Sequence, residues 1–409
     1  MQGWLKGGLL LVAGGILTLP LGAADWPCWL GPNHNGVSTE TGLLTTWPST
    51  GPKLLWKVPG GDGYSAVAVA GGRAVTLVQR KGEELVIALD PASGKELWST
   101  TVAPGYKNSY GNGPRSTPTI DGSFIYVQSV SGPLVCLQAD SGKIVWQTHL
   151  LKEFGAKNIS WGLSASPLVD GDLVYALPGA AGAGMAAFDK KTGNLVWKTG
   201  DDKAAYATPV AATIGGKKQI IFFTAVGLVG VTSDKGKELW RMPWTTEFDV
   251  NIATPLVLGD HLFVASGEGV GSAMLQLMPG GPPKTVWESK GKGGVMTSYW
   301  ANAVPFEGHL YGLSGEFDKR IDLNCVEIKT GKLKWSRKAF GKGALIIADG
   351  HLFITTKTGD LVLARATPEK YEEKARLKVL GDNRTIPTIA DKRLYIRDKE
   401  NVLCLDVAK

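Results

Sequence analysis

The feature that most constrains this chain of 409 residues is a pattern of about eleven residues that recurs along its length. Each copy has alternating apolar residues, then a turn built on Asp or Thr with Ser/Thr-Gly-Lys, then a closing aromatic residue. The copies end at six tryptophans and, in a degenerate seventh copy, at a leucine: Trp98, Trp146, Trp197, Trp240, Trp287, Trp335 and Leu377. Repeats with periods of roughly 20 to 50 residues are typical of stacked arrays and propellers. The spacing of 42 to 51 residues therefore predicts a repeat architecture.

Each repeat is predicted to be four antiparallel strands. In the copy Ala88–Trp98, the turn residue Gly94 is suited to the positive φ that ends a hairpin. A second pair of alternating strands lies upstream, as in Ser116–Val130. The 54 glycines and 22 prolines favour such short strands and turns over long helices. A lone sheet cannot bury both faces, so neighbouring sheets must stack, and radial closure leaves few exposed edges.

The two ends of the chain give the number of repeats. An eighth inner hairpin, Arg384–Arg397, is followed by a third strand, and the chain then stops before any outer strand. The segment Lys53–Val58 at the other end can supply that missing strand. We therefore predict an all-β protein: a single eight-bladed β-propeller over residues 54–409, in which the N-terminal strand completes the last blade.

The first residues form a separate segment. Lys6 precedes an apolar stretch, Leu9–Leu21, and small residues follow up to Ala24, which is typical of a secretory signal peptide. An uncleaved anchor is the alternative. We expect residues 1–24 to be a signal peptide cleaved near Ala24 and residues 25–53 to be an N-terminal extension. The protein would then be periplasmic or secreted, without stable membrane insertion. The net charge of +7 is scattered, so nucleic acid is not an expected partner.

The repeat resembles a known family. The residues Ala88, Asp90, Ser93, Gly94 and Trp98 match the pattern A-x-D-x-x-[S/T]-G-x-x-x-W at every fixed position. It resembles the tryptophan-docking repeat of quinoprotein-type propellers, which bind pyrroloquinoline quinone (PQQ), and related repeats of the bacterial outer-membrane protein assembly factor. The resemblance implies that these tryptophans pack between adjacent blades, and it is more specific for fold than for activity.

The cysteines and histidines are interpreted as structural. Three cysteines fall at one repeat position in three different blades, too far apart for a disulfide: Cys136, Cys325 and Cys404. Cys28 has no partner that the sequence identifies. Three histidines share one hairpin position, which indicates turn residues: His261, His309 and His351. We therefore predict neither catalytic nor metal-binding residues.

The blades differ most just before their first strands, where the chain enters the axial channel. Most blades have a proline near the start of the first strand, usually after Thr or Ser, as in Thr117-Pro118. The residue three positions before this proline is polar, aromatic or basic in most of these blades. Together with neighbouring residues this gives the candidate ligand-binding residues at the channel mouth: Arg115, Trp161, Ser164, Tyr206, Asp249, Asn251, Trp300, Asn302 and Arg384. Such a ring suits an anionic or polar ligand. A hydrated rim without ligand is the alternative.

Three functions remain open at this point. The favoured one is an exported, monomeric, non-catalytic binding or scaffolding propeller that recognises a protein partner in the cell envelope, or a polar or anionic small ligand. The second is a PQQ-dependent dehydrogenase, for which the resemblance implies PQQ with calcium and an adjacent-cysteine disulfide. The sequence has no Cys-Cys pair. The third is a soluble protein similar to the outer-membrane assembly factor.

Overall fold

The computed structural model describes residues 24–291, 293–316 and 320–409. These residues form eight antiparallel sheets of four strands each, arranged as the blades of a propeller. The prediction of an all-β, eight-bladed propeller is confirmed. The predicted signal peptide lies outside the described residues, except for Ala24. No helix in the described ranges is long and apolar enough to cross a membrane.

Blades 1 to 4 follow one another along the chain, each running from an inner strand at the axis to an outer strand at the rim. Blade 1 contains β2 (Ala68–Ala70), β3 (Arg73–Arg80), β4 (Glu83–Leu89) and β5 (Glu96–Pro104). Blade 2 contains β6 (Thr119–Asp121), β7 (Phe124–Gln128), β8 (Pro133–Gln138) and β9 (Ile144–His149), followed by the short helix α1 (Leu150–Phe154). Blade 3 contains β10 (Leu168–Asp170), β11 (Leu173–Ala176), β12 (Met185–Asp189) and β13 (Leu195–Thr199). Blade 4 contains β14 (Val210–Ile214), β15 (Lys217–Phe223), β16 (Gly227–Thr232) and β17 (Glu238–Pro243).

Blades 5 to 8 repeat this order, and the last blade takes its outer strand from the start of the fold. Blade 5 contains β18 (Leu256–Leu258), β19 (His261–Ser266), β20 (Gly271–Gln276) and β21 (Lys284–Lys290). Blade 6 contains β22 (Val304–Phe306), β23 (His309–Ser314), β24 (Asp322–Glu327) and β25 (Leu333–Arg337). Blade 7 contains β26 (Gly343–Ala348), β27 (His351–Thr356), β28 (Asp360–Arg365) and β29 (Glu373–Lys378). Blade 8 contains β30 (Thr388–Ala390), β31 (Arg393–Arg397), β32 (Asn401–Asp406) and β1 (Lys53–Pro59).

The ring closes by pairing the two ends of the chain. Strand β1 lies antiparallel to β32, with Leu54 opposite Leu405 and Val58 opposite Val402. This confirms the prediction that the N-terminal strand completes the last blade. The pairing leaves β32 bonded to a strand on each edge, and β1 becomes the outer edge strand of the blade.

The repeated tryptophans join one blade to the next. The indole N–H of Trp146 on β9 donates to the backbone carbonyl of Lys190 in blade 3, at 3.0 Å. Its ring covers Gly193, where an added Cβ would lie 2.6 Å from the indole. Equivalent indole-to-carbonyl bonds join five other pairs of blades: Trp56 to Pro91, Trp98 to Ala139, Trp197 to Ser233, Trp287 to Ile328 and Trp335 to Thr367. In blades 1, 2, 3 and 6 the Ser/Thr-Gly turn of the repeat is thus the docking site for the preceding blade's tryptophan.

Trp240 of blade 4 is the exception. Its indole N–H donates to Oε1 of Gln219, a residue of its own blade, at 2.7 Å. The next blade lacks the Ser/Thr-Gly turn, because residues 278–283 of blade 5 read Met-Pro-Gly-Gly-Pro-Pro. The tryptophan instead has its acceptor within the same sheet.

The four cysteines are free and buried. Cys136, Cys325 and Cys404 lie on the third strands of blades 2, 6 and 8, as the repeat predicted. The thiol of Cys28 donates to the backbone carbonyl of Gly31, at 3.2 Å. Burial raises the pKa of the Cys28 thiol to about 12, so this cysteine stays protonated at neutral pH.

The N-terminal extension packs across the inner strands of several blades. Trp26 is buried, and it exchanges two backbone hydrogen bonds with Val69 on β2. Further along, Ser38 donates its backbone N–H to the carbonyl of Ile347 on β26, at 2.8 Å. The extension therefore binds blades 1 and 7, on either side of blade 8, and forms part of the hydrophobic core that these three blades share.

Glu84 on β4 gives the fold a pH dependence. Its side chain is buried between blades 1 and 2, and its Oε2 accepts a hydrogen bond from the Ser129 hydroxyl, at 2.8 Å. Its Oε1 has no hydrogen-bond partner among the described residues. Burial raises the pKa of Glu84 to about 7, against its ordinary value of 4.5. Between these two pH values the folded protein holds a proton that the unfolded chain has lost.

We expect the free energy of unfolding to fall as pH rises from 4.5 to 7, because the folded protein binds more protons than the unfolded chain in this window. Glu84→Gln removes this ionisation, so the stability of the variant relative to the parent should increase by up to about 3 kcal/mol between pH 4.5 and pH 8. Urea unfolding of both proteins at the two pH values measures the change. If the variant and the parent differ in stability by the same amount at both pH values, the raised pKa of Glu84 is contradicted.

Candidate functional site

A chain of hydroxyls fixes the entry of the first strands into the channel. The Thr or Ser before each proline in blades 2 to 5 accepts a hydrogen bond from the backbone N–H at the equivalent position of the preceding blade. These bonds run from Ala66 to Thr117, Thr117 to Ser166, Ser166 to Thr208 and Thr208 to Thr254, at 2.9 to 3.3 Å. They hold adjacent inner strands in register. The residue two positions before each hydroxyl is therefore presented at a fixed place around the axis.

An axial cavity of about 200 Å³ opens among these residues. Its volume could hold about a dozen water molecules. The segments that lead into seven of the eight blades, together with the N-terminal extension, contribute its lining: Trp29, Tyr64, Tyr110, Arg115, Trp161, Ser164, Ser166, Tyr206, Thr208, Val250, Ile252, Thr254, Tyr299, Trp300 and Arg384. Two guanidinium groups thus share a cavity with a ring of aromatic side chains.

Arg115 is held by its own loop. Its Nη2 donates to the backbone carbonyl of Gly111 at 2.7 Å, and its Nη1 donates to that of Gly113. The guanidinium also lies 4.9 Å from the centre of the Tyr106 ring. Burial is the main cause that lowers the pKa of Arg115, and the positive charge of Arg384 adds to it. Arg115 remains a cation at neutral pH, because its ordinary pKa is far above 7.

Arg384 approaches from blade 8. Its Nη1 donates to the backbone carbonyl of Tyr110, at 3.0 Å. Its guanidinium lies between two rings, 5.1 Å from the centre of Tyr64 and 5.6 Å from that of Trp300. Cation–π contacts of this kind hold a guanidinium in place without neutralising it. The Nε of Arg384 is buried and has no hydrogen-bond partner in the described part of the chain.

The other aromatic rings support one another around the cavity. Trp161 meets Tyr110 edge-on, with ring centres 5.7 Å apart, and contacts Tyr206 at 5.8 Å. Tyr299 and Trp300 form a second pair at 5.7 Å. Such edge-to-face and tilted contacts restrict ring motion, so the rings present defined faces to a ligand.

Trp29 of the N-terminal extension reaches the cavity from the other end of the channel. Its indole N–H donates to Oγ1 of Thr254, at 3.0 Å. This residue of the extension is therefore part of the site. Comparison of the repeats could not indicate this role for Trp29, because residues 25–53 lie outside the repeat.

Six of the nine candidate residues line the axial cavity: Arg115, Trp161, Ser164, Tyr206, Trp300 and Arg384. Asn251 is buried elsewhere, where its amide donates to the carbonyls of Thr224 and Trp244 and accepts from the Ser266 hydroxyl. Asn302 is also buried, and its amide donates to the carbonyl of Thr254 at 2.7 Å. Asp249 lies exposed on a loop outside the cavity, with a φ of 57°.

Several lining residues were missed, and for one of them a signal existed. Tyr64 lies two residues before Ala66, which is the blade 1 equivalent of Thr117 in the chain of hydroxyls. Blade 1 has no proline at the corresponding place, so an alignment on Pro passed over it. An alignment on the strand position would have included Tyr64. Tyr110 and Tyr299 lie in loops that differ between blades, and no repeat position indicated them.

The electrostatic character of the cavity favours an anion. None of its fifteen lining residues is an Asp or a Glu, and two are arginines. Among the described residues, no group of three or more His, Cys, Asp or Glu is placed to hold a metal ion. The guanidiniums can donate to carboxylate or phosphate oxygens, and the rings can cover the apolar part of the same ligand.

The lining can be tested against PQQ with calcium, which the resemblance to quinoproteins implies. Calcium takes about six to eight oxygen ligands, several of them carboxylates. No carboxylate lines this cavity, the Asn251 amide is already used within the fold, and the cysteines are all free. The residues present do not fit a calcium-bound quinone.

The fold and cavity together define the class: an eight-bladed β-propeller with tryptophan-docked blades and an axial ligand-sized cavity. The family described as outer membrane protein assembly factor BamB matches residues 81–305, more than half of the chain. The chain belongs to this family, and the predicted resemblance is confirmed.

Individual relatives agree with this placement. The chain is 22% identical to the outer membrane protein assembly factor BamB of Yersinia pestis over 343 residues, covering 78% of this chain and 82% of the relative. The crystal structure of BamB from Moraxella catarrhalis superposes with a TM-score of 0.63 at 16% identity, covering 87% of this chain and 99% of that one. A europium-containing methanol dehydrogenase superposes with a TM-score of 0.69 at 13% identity, covering 91% and 89%. At these identities the two structural likenesses show the fold alone.

Proposed function

We propose that this protein is a non-catalytic scaffold of the cell envelope that holds a protein partner belonging to the machinery of outer-membrane protein assembly. The observation that carries the proposal is the family match together with similarity along 82% of a BamB chain. On this proposal residues 1–24 are a signal peptide, residues 25–53 an extension integrated into the fold, and residues 54–409 a monomeric propeller in the periplasm.

The face on which the axial cavity opens is the proposed binding face. Three apolar side chains lie exposed around it: Tyr110 is 45% exposed, Val226 42% and Phe248 54%. Val226 lies in the hairpin between β15 and β16, and its carbonyl accepts from the backbone N–H of Trp244 in the loop after β17. Phe248 belongs to that same loop. Exposed apolar residues beside a cationic cavity are suited to protein contact.

The experiment is affinity purification of the full chain from its native envelope, followed by mass spectrometry. We expect a protein of outer-membrane assembly to co-purify in a stoichiometric amount. The double variant Val226→Glu, Phe248→Glu should reduce its recovery about tenfold, because two charges replace apolar contacts at the proposed face.

Leu239→Glu is the matched control. Leu239 is 41% exposed and belongs to the same blade, but it lies on the outer strand β17. Its substitution should leave recovery unchanged. Absence of any assembly protein from the purified material would refute the proposed function, and equal recovery with both variants would refute the assignment of the face.

A further inference from the structure

A second, smaller depression lies beside the axial cavity. This depression, of about 20 Å³, is lined by the aromatic pair Tyr299 and Trp300, by Leu313, Ile321 and Lys342, and by small residues. Tyr299 and Trp300 line both spaces, so the two are separated only by this aromatic pair. The first space is cationic, whereas the second is mainly apolar. A compact anion would use only the first.

Three cations surround the shared aromatic pair. The guanidinium of Arg384 lies 5.6 Å from the centre of the Trp300 ring, and the Lys342 ammonium lies 5.4 Å from it. Arg115 lines the cavity on the other side. The buried Nε of Arg384 is a donor that the described fold leaves without an acceptor. An unpaired buried donor is costly, so an acceptor brought by a ligand would be favoured there.

We propose that the two spaces bind an extended acidic segment of the partner protein, with an Asp or Glu side chain between Arg115 and Arg384 and a small apolar side chain, such as that of alanine, two residues away in the depression beside Leu313 and Ile321. This inference rests on the proposed function. In an extended chain, side chains two residues apart point in the same direction, about 7 Å from each other. One such segment could therefore fill both spaces while its backbone crosses the Tyr299–Trp300 pair.

Charge complementarity argues for this occupant. The lining of the first space, where the carboxylate is placed, contains two guanidinium groups and no carboxylate. A carboxylate can accept two hydrogen bonds from a guanidinium, and the aromatic rings exclude water from that contact. A basic or neutral segment would leave the guanidiniums partly desolvated without an anion, so it would be disfavoured.

Selection from a library of random twelve-residue peptides displayed on phage tests the proposal on the full-length folded chain. We expect enrichment of sequences with Asp or Glu two residues from an apolar residue, and no such enrichment on the double variant Arg115→Gln, Arg384→Gln. Isothermal titration with an enriched peptide, capped at both ends, should then show at least tenfold weaker binding when its Asp or Glu is replaced by the amide. Arg384→Gln alone should weaken binding by a similar factor.

Arg365→Gln is the control, since Arg365 is exposed at the end of β28, outside both sets of lining residues. Thermal unfolding of each variant checks folding, and Arg384→Lys, which retains a cation, should bind more tightly than Arg384→Gln. Enrichment without acidic residues, no enrichment at all, or full affinity in Arg384→Gln would overturn the proposal. Benzoate binding as tightly as the peptide would show a small-anion site instead. Co-purification of an assembly protein despite such a result would leave the proposed function standing.

Discussion

Replacing Arg397 with methionine is expected to lower the free energy of unfolding by about 3 to 5 kcal/mol. Arg397 lies on β31 of blade 8, and only 1% of it is exposed. Its Nη1 donates to the carbonyl of Leu77 at 2.7 Å and to Oγ1 of Thr76 at 3.0 Å, both on β3 of blade 1. Its Nη2 donates to the carbonyl of Gly61 at 2.8 Å. One side chain therefore joins the last blade to the first.

Two contributions of opposite sign make up the expected change in the free energy of unfolding of Arg397→Met. Burial lowers the pKa of Arg397 to about 10, so the fold bears a cost for holding this cation, and methionine would remove that cost. Methionine fills a similar length but cannot donate, so the carbonyls of Leu77 and Gly61 and the Thr76 hydroxyl oxygen would each lose a donor. Each such acceptor costs about 1 to 3 kcal/mol. Because several are left at once, the loss of hydrogen bonds should outweigh the relief of desolvation.

Arg393→Met is the control, because Arg393 begins the same strand. It pairs with Asp391 at 2.9 Å, and its side chain is 28% exposed. A partly exposed ion pair contributes up to about 1 kcal/mol, so this variant should unfold near the parent. Urea unfolding followed by tryptophan fluorescence measures both. A loss below 1 kcal/mol for Arg397→Met would show that the closure of the ring does not depend on this residue.

The fold was predictable because most blades carry the same short sequence pattern. The Ser/Thr-Gly turn or the closing tryptophan recurs in most blades, since a blade must present a docking surface to its neighbour. Trp146 and Gly193 illustrate this: the two positions are far apart in sequence, yet each is required by the same contact. The β1–β32 pairing followed from counting the strands that the repeat left incomplete.

The axial cavity was only partly predictable, because much of its lining lies outside the repeat. Arg115 and Arg384 were found because the strand position presents them. Trp29 and Tyr110 come from segments with no counterpart in other blades, so no internal comparison could place them. Asn251 was misleading for a different reason: its type suits a ligand, but the fold itself uses its amide. Residue type alone does not separate these two uses.

The tryptophan docking contact leads to the second large effect. Gly193→Ala is expected to lower the free energy of unfolding by about 3 kcal/mol or more. Gly193 has a φ of 74°, which costs an alanine about 1 to 2 kcal/mol. In addition, the new Cβ would lie 2.6 Å from the Trp146 ring, and displacing that ring would disturb its bond to the Lys190 carbonyl. Overpacking of this kind adds about 1 to 3 kcal/mol.

Gly182→Ala separates the two contributions within the same blade. Gly182 has a φ of 68°, and no atom lies within 4 Å of its added Cβ. The Gly182→Ala substitution should therefore lower the free energy of unfolding only by the backbone cost of about 1 to 2 kcal/mol. In a Trp146→Ala background the Gly193→Ala cost should fall to that same value, because the ring is gone. Urea unfolding of the single and double variants measures this coupling. Equal costs for the two glycines would mean that the tryptophan tolerates a Cβ beneath it, and that backbone conformation alone requires glycine in the repeat.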